Sequence, residues 1–279
     1  MVCRSRTRWF AERRRGRSEG WAATADRGVL DDLTAEQADL YRVLSGLEDG
    51  DWSRPTPAVG WQVRDQVAHL AHTEELSRET AGGGPADLDA EIARYGGDGQ
   101  AMIDAGAARG RSMRPSELRD WWWTAAAANR RTLAALDSSV RVPWGLGMGW
   151  RAFVTARLME HWAHGLDIRS AIGRPGVDTQ RLRHVAWIAT SALPYAFSVA
   201  GVTPPEDRTL RVELTPPPDV KVGHELWTFG PPDATDRLSG PAGQWCRRAV
   251  QRATVAETPD LRTEGPLAAL ALAHARAFL

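Results

Sequence analysis

The chain carries seven histidines, and four of them fall in two short runs: His69 and His72 in VAHLAHTEE, and His161 and His164 in LMEHWAHGLD. Imidazoles grouped beside carboxylates are the material of a nitrogen–oxygen metal site. Glu160 and His164 are four residues apart. On a helix this spacing sets both side chains on one face, with Cβ atoms roughly 5–6 Å apart. One ion can sit between them, with ligand bonds of about 2.0–2.2 Å. His161 points about 100° away from Glu160 and does not easily share that ion. His161 and His164, three apart, form an alternative pair. A metal-free ion pair along a helix surface has the same spacing.

Two ligands rarely suffice, so a third must come from another helix. His69 is the natural candidate, because it follows the apolar Val67 in a segment long enough to cross a bundle. Bundle cores build metal sites from inward Glu and His on facing helices. His72, one turn on, is the substitute. The plainer reading of His69 is a partly buried histidine bonded to Asp65 or Thr73. Two His and one Glu leave zinc an open fourth position for water, a substrate oxygen or a thiol, as in a working site. Without thiolate among the ligands, nickel, iron or cobalt also suit.

The elements that must carry these residues are mostly helical. Residues 1–29 show no apolar period and cluster arginine, so they read as a flexible arm. From Leu30 the leucines 33, 40, 44 and 47 share one face, with Gln37 the polar slot in the series. After DGDW, a second helix has Trp61, Val63, Val67 and Leu70 as its apolar set; residues 82–86 form a loop. Residues 88–107 read as helix, and Ser116 as the N-cap of a helix running through DWWWTAAAANRRTLAALD. Trp121, Trp122 and Trp123 cannot all face one way, so one or two pack inside the bundle. VPWGLGMGW is a loop, Arg151–Ile172 a strong amphipathic helix, and residues 181–200 one further helix. Beyond GVTPPEDR, RTLRVELT alternates as a half-buried strand does. ELWTFG, ATDRLSG and LRTEG are further strands, and PAGQWCRRAVQRA and PLAALALAHARAFL are helices. The expected division is a helical domain over 30–203 and a small α/β domain over 204–279.

Composition narrows the function. Thirty-five acidic and 35 basic residues give a formal net charge of zero, which offers no global attraction to nucleic acid or anionic lipid. The basic residues are arginine except for Lys221. Two cysteines, Cys3 and Cys246, make no disulfide framework and fit a reducing compartment. No apolar run approaches the roughly 20 residues of a membrane span, and RRRGRSEGW lacks a signal-peptide core, so the expected location is cytoplasmic.

GWQVRDQVAHLAHTEE resembles the second helix of the DinB-like metal-binding bundle, in the form found in mycothiol-dependent maleylpyruvate isomerase: a GW turn, then a helix with its histidine in an AHLA-type run. TARLMEHWAHGLDI resembles that family's ligand helix, and RVELT…LWTFG…LSGPAGQWCRRAVQR its small sterol-carrier-like domain. Coverage is about residues 30–279, best matched to an uncharacterised metal-binding branch. The resemblance implies an α+β protein, a DinB-like four-helix bundle followed by a small sterol-carrier-like α/β domain. It places the metal, zinc by preference, on His69, Glu160 and His164. His72 and His161 match no ligand position and are expected beside the site or at the surface.

It also implies mycothiol as thiol cosubstrate. In such an isomerase the metal-held thiolate adds to the double bond of maleylpyruvate; rotation and thiolate loss give fumarylpyruvate. An arginine of the second domain holds the dianionic substrate, bidentate binding being the reason for the residue type. The nearest match is Arg252 in AVQRAT, with Arg248 as rival. Arg157, one turn before Glu160, is placed to orient it, and VPWGLGMGW to shape the pocket mouth. The expected function is thiol-linked isomerisation or transfer on a small electrophile by a monomer or homodimer, with no nucleic-acid or membrane partner. The alternative is a non-catalytic metal-binding module holding a small apolar ligand.

Overall fold

The computed structural model describes residues 19–84, 86–145, 147–218 and 225–278. Helix α1 (Glu19–Ser45) begins well before the leucine pattern. Ala22, Ala23 and Ala25 are strong helix formers and extend it upstream without needing an apolar stripe. Of the arm expected over 1–29, residues 1–18, with Cys3, lie outside the described residues, and 19–29 belong to α1. Val29, Leu33, Leu40, Val43 and Leu44 are buried along α1, and so is Gln37.

A short 3₁₀ turn over Asp49–Ser53 buries Trp52 and leads to α2 (Val63–Gly82). Trp61 lies outside this helix, just before its N-cap Gln62. The Asp65 carboxylate accepts the Gln62 amide at 2.8 Å, closing the first turn. Gly83 ends the helix at φ 69°, a left-handed conformation that costs glycine little. The helix expected over 88–107 is two, α3 (Leu88–Arg94) and α4 (Gly99–Arg111), parted at Gly96 and Gly97, both at positive φ. Helix α5 (Pro115–Ala135) starts earlier than expected. Arg114, not Ser116, is its N-cap, and Pro115 takes the first helical position, where no amide hydrogen is needed.

The expected loop VPWGLGMGW folds partly as a hairpin, β1 (Arg141–Val142) against β2 (Met148–Gly149). It feeds α6 (Trp150–Ala171), within a residue of expectation. This helix is not amphipathic. It is buried on most of its circumference, because α1, α2 and α7 (Leu182–Ser191) pack around it. The helix expected over 181–200 breaks into α7 and α8 (Leu193–Val199). Pro194 has no amide hydrogen, and its ring clashes with the preceding turn.

The second unit has the expected elements: β3 (Leu210–Thr215), β4 (Trp227–Phe229), β5 (Asp236–Pro241), α9 (Ala242–Ala249), β6 (Arg262–Glu264) and α10 (Pro266–His274). The sheet order is β4-β3-β5-β6; β3 and β5 run parallel, and the edge pairs are antiparallel. One continuous core joins both units. Phe153, Leu158, Trp162 and Val185 of the helical part meet Val212, Leu238, Trp245 and Ala268 of the other. A second cluster, with Leu40, Val67, Leu70 and Trp122, holds α1, α2 and α5 together. Trp122 is the inward member of its triplet; Trp121 and Trp123 are half-buried. Among the described residues no helix is long and apolar enough to cross a membrane.

Candidate metal centre

Helices α2 and α6 face each other in the bundle and bring His69, Glu160 and His164 together. The nearer oxygen of Glu160, Oε2, lies 3.5 Å from His69 Nε2 and 3.4 Å from His164 Nε2. The three ligand atoms lie within 4.8 Å of one another, the one such group of His, Cys, Asp or Glu among the described residues. Bonds of about 2.1 Å at tetrahedral angles require ligand atoms about 3.4 Å apart. The donor set and spacing therefore fit a divalent ion held by three protein ligands with one position open.

The surroundings favour the ligand charge states. Burial, aided by the neighbouring His164, pushes His69 down to about 4, so its ring is neutral at ordinary pH. Burial works against ionisation of Glu160, but its neighbours, His69 and the Arg157 charge among them, hold its carboxyl well below the usual range. The His164 Nδ1 contacts Gln66 Oε1. The Trp61 ring stacks on His164, 6.2 Å between centroids and 16° between planes, and leans on His69 at 5.3 Å. The expected partners of His69 do other work. Asp65 caps α2 and pairs with Arg111, and the Thr73 hydroxyl donates to the His69 carbonyl.

His161 is a satisfied core residue, neither a ligand nor on the surface. It is fully buried, and its Nδ1 donates to the Arg157 carbonyl at 2.7 Å. Its Nε2 accepts from Trp122 Nε1 at 3.1 Å and from Gln37 at 3.3 Å. The polar slot in the α1 leucine series thus exists to serve this imidazole. Burial drives the His161 pKa to about 3. His72 faces Glu91 at 3.9 Å, away from the triad. Behind the triad, Glu74 is buried, bonded to Asn129 at 2.8 Å and pushed by burial to about 7.

The arginines separate. Arg157 makes no hydrogen bond to Glu160. It is buried with its guanidinium 5.0 Å over the Trp144 ring, so the hairpin covers this arginine. Arg248 is spent on the carbonyls of Leu272, Ala273 and Ala275 near the end of α10. Arg252 grips Asp167 of α6 through Nε at 3.0 Å and Nη2 at 2.6 Å, while Nη1 reaches the Val250 carbonyl. Both Arg252 and Asp167 line a cleft of about 690 Å³ between the two units, with Pro57, Ala58, Arg247 and Val255. Asp167 is three residues beyond His164 on α6, so the cleft begins one helical turn from the triad. Gln66 and Trp61 were not read as site residues. The available signals were a polar residue one turn before His69 and a tryptophan at the helix entrance.

A helical bundle with an inward His–Glu–His set, followed by a small mixed α/β unit, defines the class of protein. The chain belongs to the mycothiol maleylpyruvate isomerase family, whose N-terminal domain matches residues 33–169. It is 35% identical over 258 residues to an uncharacterised protein of Mycobacterium tuberculosis strain ATCC 25618 / H37Rv, covering 91% of this chain and 96% of that one. The same figures hold for one from strain CDC 1551 / Oshkosh. The fold is similar to the crystal structure of the mycothiol-dependent maleylpyruvate isomerase, with TM-score 0.55 and 16% identity over 87% of this chain and 95% of that chain. A histidine-to-alanine mutant of that enzyme matches with TM-score 0.55 and 15% identity, over the same shares of the two chains.

Proposed function

We propose that this protein binds one divalent metal ion, zinc by preference, through His69 Nε2, Glu160 Oε2 and His164 Nε2. We further propose that it applies the ion to a low-molecular-weight thiol in isomerisation or transfer on a small electrophile. The observation that carries this reading is the triad spacing, 3.4 and 3.5 Å about one carboxylate oxygen, which fits the edge of a tetrahedral site. A divalent ion there would favour the thiolate of a thiol at its open position. Mycothiol is the thiol suggested by the enzyme of similar fold. The bundle reads as DinB-like and the second unit as sterol-carrier-like, and the site as cytoplasmic.

The chain's own groups supply the rest. Trp61 walls the two imidazoles and restricts water beside them. The interdomain cleft is wide enough for a small cosubstrate, and Arg252 is the proposed holder of a substrate carboxylate. Asp167 and Val250 use three of its five N–H groups, leaving one hydrogen on each of Nη1 and Nη2. The alternative, a non-catalytic metal module holding a small apolar ligand, draws on the same pairing, because Asp167 offsets the charge of Arg252.

Elemental mass spectrometry of the purified protein tests the first half. The expected result is about one zinc per chain, reduced more than roughly tenfold in His164→Ala. No metal in the wild type after reconstitution would end the proposal. Cobalt substitution tests the second half: the visible spectrum should change when mycothiol is added. A spectrum indifferent to saturating thiol favours the non-catalytic module.

A further inference from the structure

The hydrogen bonds behind His164 determine which of its nitrogens carries the proton. Thr56 Oγ1 lies 2.9 Å from the Trp61 carbonyl oxygen and 3.5 Å from that of Ala58. A carbonyl oxygen only accepts, so the single hydroxyl proton of Thr56 is spent there. Thr56 can then offer Gln66, 2.9 Å away, nothing but a lone pair. The Gln66 atom facing Thr56 is therefore the amide nitrogen, and the atom facing His164 is the amide oxygen. That oxygen accepts from Nδ1, so Nδ1 holds the hydrogen and Nε2 a lone pair. Gln66 is fully buried, so this amide is shielded from competing water.

We propose that Gln66 and Thr56 are positioning residues: a directed relay from the Trp61 carbonyl through Thr56 and Gln66 fixes His164 as the Nδ1–H tautomer and presents Nε2 as metal ligand. In the opposite tautomer, Nε2–H would point at Glu160 Oε2, 3.4 Å away, as an ordinary pair that an incoming cation must break. With Nδ1–H, a lone pair and a carboxylate face each other, an arrangement that a cation relieves. The Trp61 ring stacks on the same imidazole, so the residue that anchors the relay also braces the ligand's plane. Among the described residues His69 has no hydrogen-bond partner on Nδ1. The two histidines are thus unequal, His164 preset and His69 adjustable. This inference rests on the metal reading above and adds what selects the ligand atom.

Two measurements test it. Long-range proton–nitrogen correlation spectra of the metal-free, nitrogen-15-labelled protein near neutral pH read the tautomer without any metal. The expected form is Nδ1–H in the wild type and in Gln66→Glu, whose carboxylate still accepts from Nδ1. Gln66→Met should lose that preference. Competition titration against a chromophoric chelator then reads zinc affinity. Gln66→Met should bind about 10–100-fold more weakly and Thr56→Val should also weaken, while Gln66→Glu stays near wild type. An Nε2–H tautomer in the wild type overturns the proposal even if the variants fail to fold. So does equal zinc affinity in wild type and a folded Gln66→Met. A wild type that shows the Nδ1–H tautomer but binds no zinc instead overturns the metal reading, and with it the ligand role given to the relay.

Discussion

His161 and His164 lie three residues apart on α6, yet their surroundings give them opposite tasks. His164 turns its Nε2 to Glu160 beneath Trp61. His161 is held neutral by burial deep in the bundle, where one acceptor and two donors satisfy its ring. This neutrality has a pH consequence. An unfolded histidine ionises near 6.5, whereas His161 in the fold does so at about 3 and His69 at about 4. A depressed folded pKa gives stability that is present above the unfolded value and is lost as pH falls towards the folded one. Between about pH 7 and about pH 5 each of the two should cost the metal-free protein about 2 kcal/mol. Glu74, raised to about 7, offsets about 2 kcal/mol of this over the same interval, so the fall read by urea unfolding should be about 2 kcal/mol larger in the wild type than in His161→Gln. Equal losses in both proteins would mean that His161 is not the neutral core residue described.

At the scale of elements, α2 carries both Gln66 and His69 in its first two turns, so its N-terminus matters to the site. Asp65 closes that turn on the Gln62 amide and pairs with Arg111 from the end of α4, at 2.8 Å in each case. Asp65→Ala should destabilise the protein by about 1–2 kcal/mol through the lost cap, read as a lower denaturant midpoint. It should also weaken zinc binding, because the turn that orients Gln66 frays. A midpoint unchanged from wild type would show that the turn holds without its cap. Elements were legible where a local period is strong. The alternation of Leu210–Thr215 gave β3, and the apolar run after Arg151 gave α6 to within a residue. Ser116 misled because Pro115 takes the first helical position, which sets the N-cap two residues sooner, at Arg114. The break between α7 and α8 was written in Pro194, yet the helical pattern on either side masked it.

At the scale of the molecule, the two units share a core and are also tied by charge. Arg252 holds Asp167, and Arg247 holds Asp178 through contacts of 2.7 and 2.8 Å. Neither unit closes its apolar surface without the other, since Trp162 and Val185 lie in the same cluster as Trp245 and Leu238. Calorimetry should therefore record one cooperative transition rather than two, and a fragment ending at residue 203 should not give the bundle's transition alone. Two well-separated transitions would contradict the shared core. Metal provides a further check on the whole. Adding zinc in excess over its Kd should raise the Tm of the wild type and leave that of His164→Ala unchanged, since only a folded site binds it.

The sequence by itself determined the chemistry available on α6. Glu160 and His164 share a face whatever the tertiary structure, because a helix repeats every 3.6 residues. It also determined, through the order of its motifs, that a second histidine-bearing helix precedes them and a small α/β unit follows. Tertiary structure decided the rest. His69 rather than His72 meets Glu160 because of how α2 packs on α6, and no local period encodes that packing. Packing also gave His161 its partners on α1 and α5, and paired Arg252 with Asp167 across the units. It set Gln66 between Thr56 and His164, a placement that depends on a loop folding back over α2. Each of these is a contact between segments far apart in the chain. Its geometry follows from the packing of a shared core, and propensity and spacing along one segment do not specify it.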